Sequence, residues 1–142
     1  MKNIIKISLL IAILSACTNT KNSSTKAFQI EGSWKVVKIN NQPVPKELMI
    51  TLNIDSTMKV NGKAACNSYF SSIKKEGDTI SFSPIGMTRM MCDEEKNKWE
   101  SNYTKALTAP LKLTNTEASS FTLTNTTNII ELKKNSPVTG EK

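Results

Sequence analysis

Cysteines at positions 17, 66 and 92 hold most of the chemistry this sequence can do, and it has no histidine to work with them. Without an imidazole there is no Ser-His-Asp or Cys-His nucleophile pair, no imidazole general base and no histidine-containing zinc site. Cys66 and Cys92 make an even pair, and two such cysteines of a small domain in an oxidising compartment form a disulfide. Closing the stretch between them would stabilise the fold by about 3.5 kcal/mol in the chain-entropy account. A sharper reading gathers Met87, Met90, Met91 and Cys92, with Met58 upstream, because thioether and thiolate sulfurs select Cu(I). Met90 and Met91 would point in opposite directions on a strand, and methionine commonly fills irregular core gaps, so the disulfide is the expected role and no metal is assigned. No Cys-x-x-Cys spacing supports a redox centre. Asp93 and Glu94 are adjacent, so on a helix they fall on different sides instead of facing one another. No catalytic residue and no cofactor are expected.

Cys17 has a different context. Met1-Lys2-Asn3 with Lys6 is a basic start, and Ile7 to Leu14 is an apolar run too short to span a bilayer as a permanent helix. Leu14-Ser15-Ala16-Cys17 then places an apolar residue and two small ones directly before the cysteine. This resembles the lipobox of bacterial lipoproteins, in which the thiol takes a diacylglycerol group, the chain is cut before it and the new amino terminus is acylated too. The resemblance implies a signal peptide over 1–16, lipid on Cys17 and stable anchoring by several acyl chains. Thr18 to Lys26 is polar and without aromatics, which suits a flexible tether over 17–27. Thr18 is not the Asp that commonly retains lipoproteins in the inner membrane of enteric bacteria. The expected place is therefore the outer membrane, facing the periplasm.

What remains is a little over a hundred residues, enough for one domain with a single core. The net charge of +7 includes Lys2 and Lys6, so after cleavage 17 basic and 12 acidic side chains leave +5. The lysines are scattered with acids between them, paired only at Lys74-Lys75 and Lys133-Lys134. That pattern, in that compartment, reads as solvated surface and not as a nucleic-acid footprint.

The elements that must position Cys66 and Cys92 are mostly strands. Alternating residues predict strands at Trp34 to Ile39, Leu48 to Ile54, Met58 to Val60, Tyr69 to Ile73 and Ile80 to Phe82. Up to three more follow at Leu111-Leu113, Phe121-Leu123 and Ile129 to Leu132. Asn40-Asn41-Gln42-Pro43, Asp55-Ser56 and Lys75 to Asp78 supply turn chemistry between them. Asp93 to Thr108 has another period: acids at its start, then Trp99, Tyr103, Ala106 and Leu107, and a stop at Pro110. This predicts an amphipathic helix laying Trp99 and Tyr103 on a sheet as core. The domain is expected over 28–134, with a frayed, disordered tail over 135–142.

Gly32-Ser33-Trp34, Gly62-Lys63-Ala64-Ala65-Cys66-Asn67, and Thr88-Arg89-Met90-Met91-Cys92 followed by Glu100, Tyr103 and Leu107 resemble the META domain, also called the HslJ-like family. The resemblance runs from about Ile30 to Leu132. Family members often carry glycine where this chain has Ala65, another glycine within the stretch Ser68 to Ser72, and a small residue where it has Met91. It implies a mainly β (α+β) fold, an antiparallel and partly barrel-like sheet with one helix packed across it. It also implies Gly32, Trp34, Gly62, Asn67, Thr88, Met90 and Glu100 as motif residues, and no established enzymatic activity. Members are linked to heat-shock induction, novobiocin resistance and, in protozoan relatives, motility or virulence.

The expectation is thus a non-enzymatic, lipid-anchored envelope protein, with envelope stress or antibiotic tolerance as its setting. Structurally, Cys66-Asn67 and Thr88 to Cys92 would form one knot between sheet and helix, with Glu100 satisfying backbone or Arg89. The alternative uses the same residues to line a groove that recognises an envelope protein, a glycan or a small apolar ligand. An exposed patch with Tyr69, Phe70 or Arg89 favours binding. Burial of the cysteine motifs favours a scaffold.

Overall fold

The computed structural model describes residues 29–135. The expected signal peptide, the lipid on Cys17, the tether, Phe28 and the tail beyond Asn135 lie outside the described residues.

Along the chain the apolar alternation folds as β1 (Gly32–Ile39), β2 (Gln42–Pro43), β3 (Thr51–Ile54), β4 (Lys59–Lys63), β5 (Ser68–Glu76), β6 (Thr79–Phe82) and β7 (Gly86–Met87). The helix α1 (Glu94–Ala106) follows, and β8 (Leu111–Glu117), β9 (Ser120–Thr124) and β10 (Ile129–Lys134) end the domain. All pairings are antiparallel, in the order β10-β9-β8-β6-β5-β4-β3-β1, and β10 pairs back onto β1. Eight strands therefore close into a barrel, which removes the exposed edges an open sheet would have. β2 extends one side of β1, and β7 pairs with β5.

Inward positions fill the barrel. Trp34, Val36, Ile39, Ile50, Leu52, Val60, Tyr69, Ile80, Leu111, Phe121, Leu123 and Ile130 are all buried in one cluster. Trp34 meets Phe121 edge to face with ring centroids 4.6 Å apart, and its indole N–H donates to the Ile30 carbonyl at 2.7 Å. The stretch 114–128, rich in Thr, Asn and Ser, is the β8–β9 hairpin and the turn after it, its polar residues at outward positions, and there Asn125 Oδ1 accepts from the Thr127 and Asn128 N–H groups. Asp55 organises the β3–β4 turn in the same way, accepting from Thr57 Oγ1 and from the N–H groups of Thr57 and Lys59. These bonds hold its carboxyl below the usual carboxylate range.

The helix is shorter at both ends than the periodicity suggests. Asp93 is its N-cap, accepting from the Lys96 N–H at 2.9 Å, and Leu107 is its C-cap. Tyr103, Ala106 and Leu107 enter the core, whereas Trp99 is only half-buried against it. Asn135, placed in the tail by sequence, still donates its N–H to the Ser33 carbonyl at 2.8 Å.

Candidate functional site

The chain reverses between β4 and β5 in two residues, Ala65 and Cys66. Ala64 N–H donates to the Asn67 carbonyl at 2.8 Å, and Ala65 N–H to the Met49 carbonyl at 3.1 Å. Ala65 sits at φ 74, a conformation that favours glycine. The Asn67 N–H is not used inside the reversal. It donates instead to Glu100 Oε2, one turn and a half into α1, at 2.6 Å.

The Asn67 side chain completes a clasp. Its Nδ2 donates to Glu100 Oε1 at 3.0 Å and to the Met90 carbonyl at 3.4 Å. Its Oδ1 accepts from the Met90 N–H at 2.7 Å and from Thr88 Oγ1 at 2.9 Å, while Thr88 Oγ1 accepts from the Ser68 N–H at 3.1 Å. Cys66 and Cys92 close the same region as a disulfide with Cα atoms 6.0 Å apart. Two stretches distant in sequence, the 64–67 reversal and the run from residue 88 into the helix, are thereby tied by one amide, one carboxylate and one covalent bond. Asn67 is 4 % exposed, so its amide has little water to fall back on.

A second polar link lies beneath the clasp. Tyr69 Oη donates to the Thr51 carbonyl at 2.9 Å, which leaves Tyr103 Oη as donor in the 2.7 Å bond between the two hydroxyls. Burial pushes both phenols above their ordinary range, and for Tyr69 the neighbouring Tyr103 adds to the shift. Gly62 is required here: a Cβ at that position would run into the Thr51 carbonyl and the Tyr69 ring.

Farther along, the strand pairing breaks. β6 and β7 lie end to end on one edge of β5, but Ile73 pairs with Phe82 while Phe70 pairs with Gly86, so one extra residue bulges out between them. Pro84, which has no N–H to lose, lies in the bulge. Between this bulge and the C-terminal half of α1 opens a cleft of about 470 Å³, walled by Phe82, Pro84, Ile85, Met87 and Leu107 with Lys105 at its polar side. The exposed Phe70 ring, 66 % accessible, lies over Gly86, where a Cβ would meet it.

Of the motif residues read from sequence, Asn67, Thr88, Met90 and Glu100 come together with Cys66 and Cys92. Gly62 lies against Tyr69 below them. Gly32 and Trp34 do not join them; they begin β1 at the seam with β3 and β10. Glu100 takes Asn67 and not Arg89, which is exposed. The methionines are not assembled into one site: Met91 is 98 % exposed, Met87 lines the cleft, and Met58 packs on the core beside the β3–β4 turn. Tyr69 is buried while Phe70 and Arg89 are exposed, so the two sequence criteria for binding and scaffold divide between neighbouring residues. Sequence reasoning missed the cleft. Its signal was the Ser83-Pro84-Ile85-Gly86 interruption of an otherwise alternating stretch.

The sequence profile described as META domain matches residues 26–137. Two solved structures share the fold. One, an NMR structure of a protein from Burkholderia xenovorans, is 21% identical, covers 75% of this chain and 83% of that one, and superposes with a TM-score of 0.63. The other, also determined by NMR, is 19% identical over 72% of this chain and 88% of that one, with a TM-score of 0.61. No curated protein matches the sequence.

Proposed function

The chain belongs to the META domain family, and from that premise we propose that it is a non-enzymatic module of the bacterial cell envelope, anchored by lipid on Cys17 to the outer membrane and facing the periplasm. The observation that carries this reading is the clasp. The residues best equipped for chemistry, Asn67, Thr88, Glu100, Cys66 and Cys92, are engaged with one another in a part-buried tie between sheet and helix, with Asn67 and Cys66 at its buried centre. A disulfide suits an oxidising compartment, and a barrel pinned in this way suits a place where unfolded chains are not rescued by cytoplasmic chaperones. Its setting in this reading is envelope stress or antibiotic tolerance, with no nucleic-acid partner.

The test is the intact mass of protein isolated from membranes, with and without reduction and alkylation. A lipid adduct on Cys17, with Cys66 and Cys92 alkylated only after reduction, is the expected result. An unmodified Cys17 would overturn the anchor. Alkylation without reduction would overturn the clasp as a covalent tie.

A second reading is favoured by a separate observation, the apolar cleft. Clefts of roughly 300–1,000 Å³ with few polar groups are where small ligands bind, and about 470 Å³ falls inside that range. In this reading the clasp holds α1 so that its far half keeps one wall of a binding site in place.

A further inference from the structure

We infer that the cleft between the β6–β7 bulge and the C-terminal half of α1 binds a free single-chain anionic amphiphile, of the fatty-acid class; the inference rests on the binding reading above. The walls decide the first half of this assignment. Phe82, Pro84, Ile85 and Met87 line the cleft together with the edge of Leu107, so a ligand must be largely apolar to replace water there with gain.

The polar groups decide the second half. Thr104 Oγ1 already donates to the Glu100 carbonyl at 2.8 Å, and Thr108 Oγ1 to the Lys105 carbonyl at 2.8 Å. Ser83 Oγ accepts from Ser72 Oγ at 3.0 Å. The two threonine hydroxyls lining the cleft thus have their protons committed to the helix, while Ser83 keeps its own. Lys105 differs: it lines the cleft, is exposed, and has no carboxylate partner among the described residues. Among the described residues no acidic side chain lines the cleft to receive a cation. An apolar slot with one ammonium at its edge is complementary to an alkyl chain ending in a carboxylate. Lys105 also offsets the negative end of the helix, which would otherwise disfavour an anion there.

The chain length should register in the affinity. Each methylene that enters the cleft strengthens binding by about fourfold until the space is filled. Octanoate, decanoate and dodecanoate should therefore bind in rising order.

The experiment is calorimetric titration of the full chain carrying Cys17→Ser, so that no acyl group of its own competes, with decanoate, decanol and decyltrimethylammonium. Decanoate is expected to bind one to one and more tightly than the other two. Lys105→Glu, at an exposed position, should weaken decanoate by about tenfold or more and leave decanol unchanged. Ile85→Glu should remove the binding of both, with circular dichroism checking that each variant keeps the barrel. Equal affinity of decanoate for the parent and Lys105→Glu, or preference for the cationic amphiphile, would overturn the anionic assignment. Binding that survives in a folded Ile85→Glu variant would place the ligand elsewhere. No binding by the parent would sink the cleft as an amphiphile site, whereas failure of the envelope reading would show separately, in the mass measurement.

Discussion

The two halves of α1 meet the barrel in opposite ways. At its middle, Glu100 gives both carboxylate oxygens to Asn67, and the surrounding donors and acceptors are matched within a few residues. Near its end, Lys105 and Leu107 border a cleft with half-buried apolar walls, and Lys105 has no carboxylate partner among the described residues. Polar groups closed on one another stabilise a fold and offer a ligand little. Apolar surface left open stabilises nothing and invites one. Substitutions should therefore segregate: those at the clasp lower stability, and substitution of the exposed Lys105 at the cleft alters binding at constant stability.

The strongest way to break this contrast is to remove the covalent part of the clasp. Replacing Cys66 and Cys92 together by Ala should cost about 3.5 kcal/mol, read as a lower urea midpoint. Asn67→Ala should cost less, about 1–3 kcal/mol, because it removes a buried amide and leaves the part-buried Glu100 carboxylate and Met90 N–H without their side-chain partner. A midpoint within error of the parent for Asn67→Ala would show that the clasp does not hold the helix. The cleft would then need another explanation for its geometry.

The tyrosine pair tests the same junction from below. Tyr103→Phe removes the hydroxyl that donates to Tyr69 and should cost about 1 kcal/mol near neutral pH. The pair also has a pH signature. Both folded-state phenols ionise above their ordinary value, so the unfolded chain releases protons first as pH rises past about 10, and stability falls from there upward. Below that pH the contribution is constant. The decline can reach about 1.4 kcal/mol per pH unit for each phenol, and it should be shallower in Tyr103→Phe. Parallel alkaline profiles for the two proteins would mean that Tyr103 ionises freely in the fold.

Much of this architecture is visible in one sequence, and the reasons for the gaps are physical. Alternation at Leu48, Ile50, Leu52 and Ile54, or at Tyr69 and Ile73, reflects which face is buried, so those strands and the β3–β4 hairpin are legible locally. Closure of the barrel is not, because the pairing of β1 with β10 joins the two ends of the domain and leaves no trace in either strand. Asn67 and Glu100 can be recognised as motif residues, but that the carboxylate takes Asn67 in preference to Arg89 depends on where α1 crosses the sheet. Tyr69 and Tyr103 each read as an ordinary core aromatic; only the fold brings their hydroxyls together. The cleft is least legible. It arises from one extra residue between β6 and β7, and a bulge in sequence looks like any loop.

The smallest effect sharpens the comparison most cleanly, because it strengthens one region and leaves the other alone. Ala65 holds a left-handed conformation that costs an alanine about 1–2 kcal/mol relative to a right-handed one, and glycine adopts it freely. Glycine also gives the unfolded chain more freedom, which takes back about 0.4–1 kcal/mol. Ala65→Gly should therefore raise stability by about 0.5–1 kcal/mol, with a small upward shift of the urea midpoint. Ala65 belongs to the clasp reversal and does not line the cleft, so decanoate affinity should stay the same. A gain in stability accompanied by a change in affinity would mean that the two halves of α1 are coupled and that the clasp sets the width of the cleft. A loss of stability would mean that the Ala65 methyl, half-buried against the core, contributes more by its packing than its backbone loses by strain.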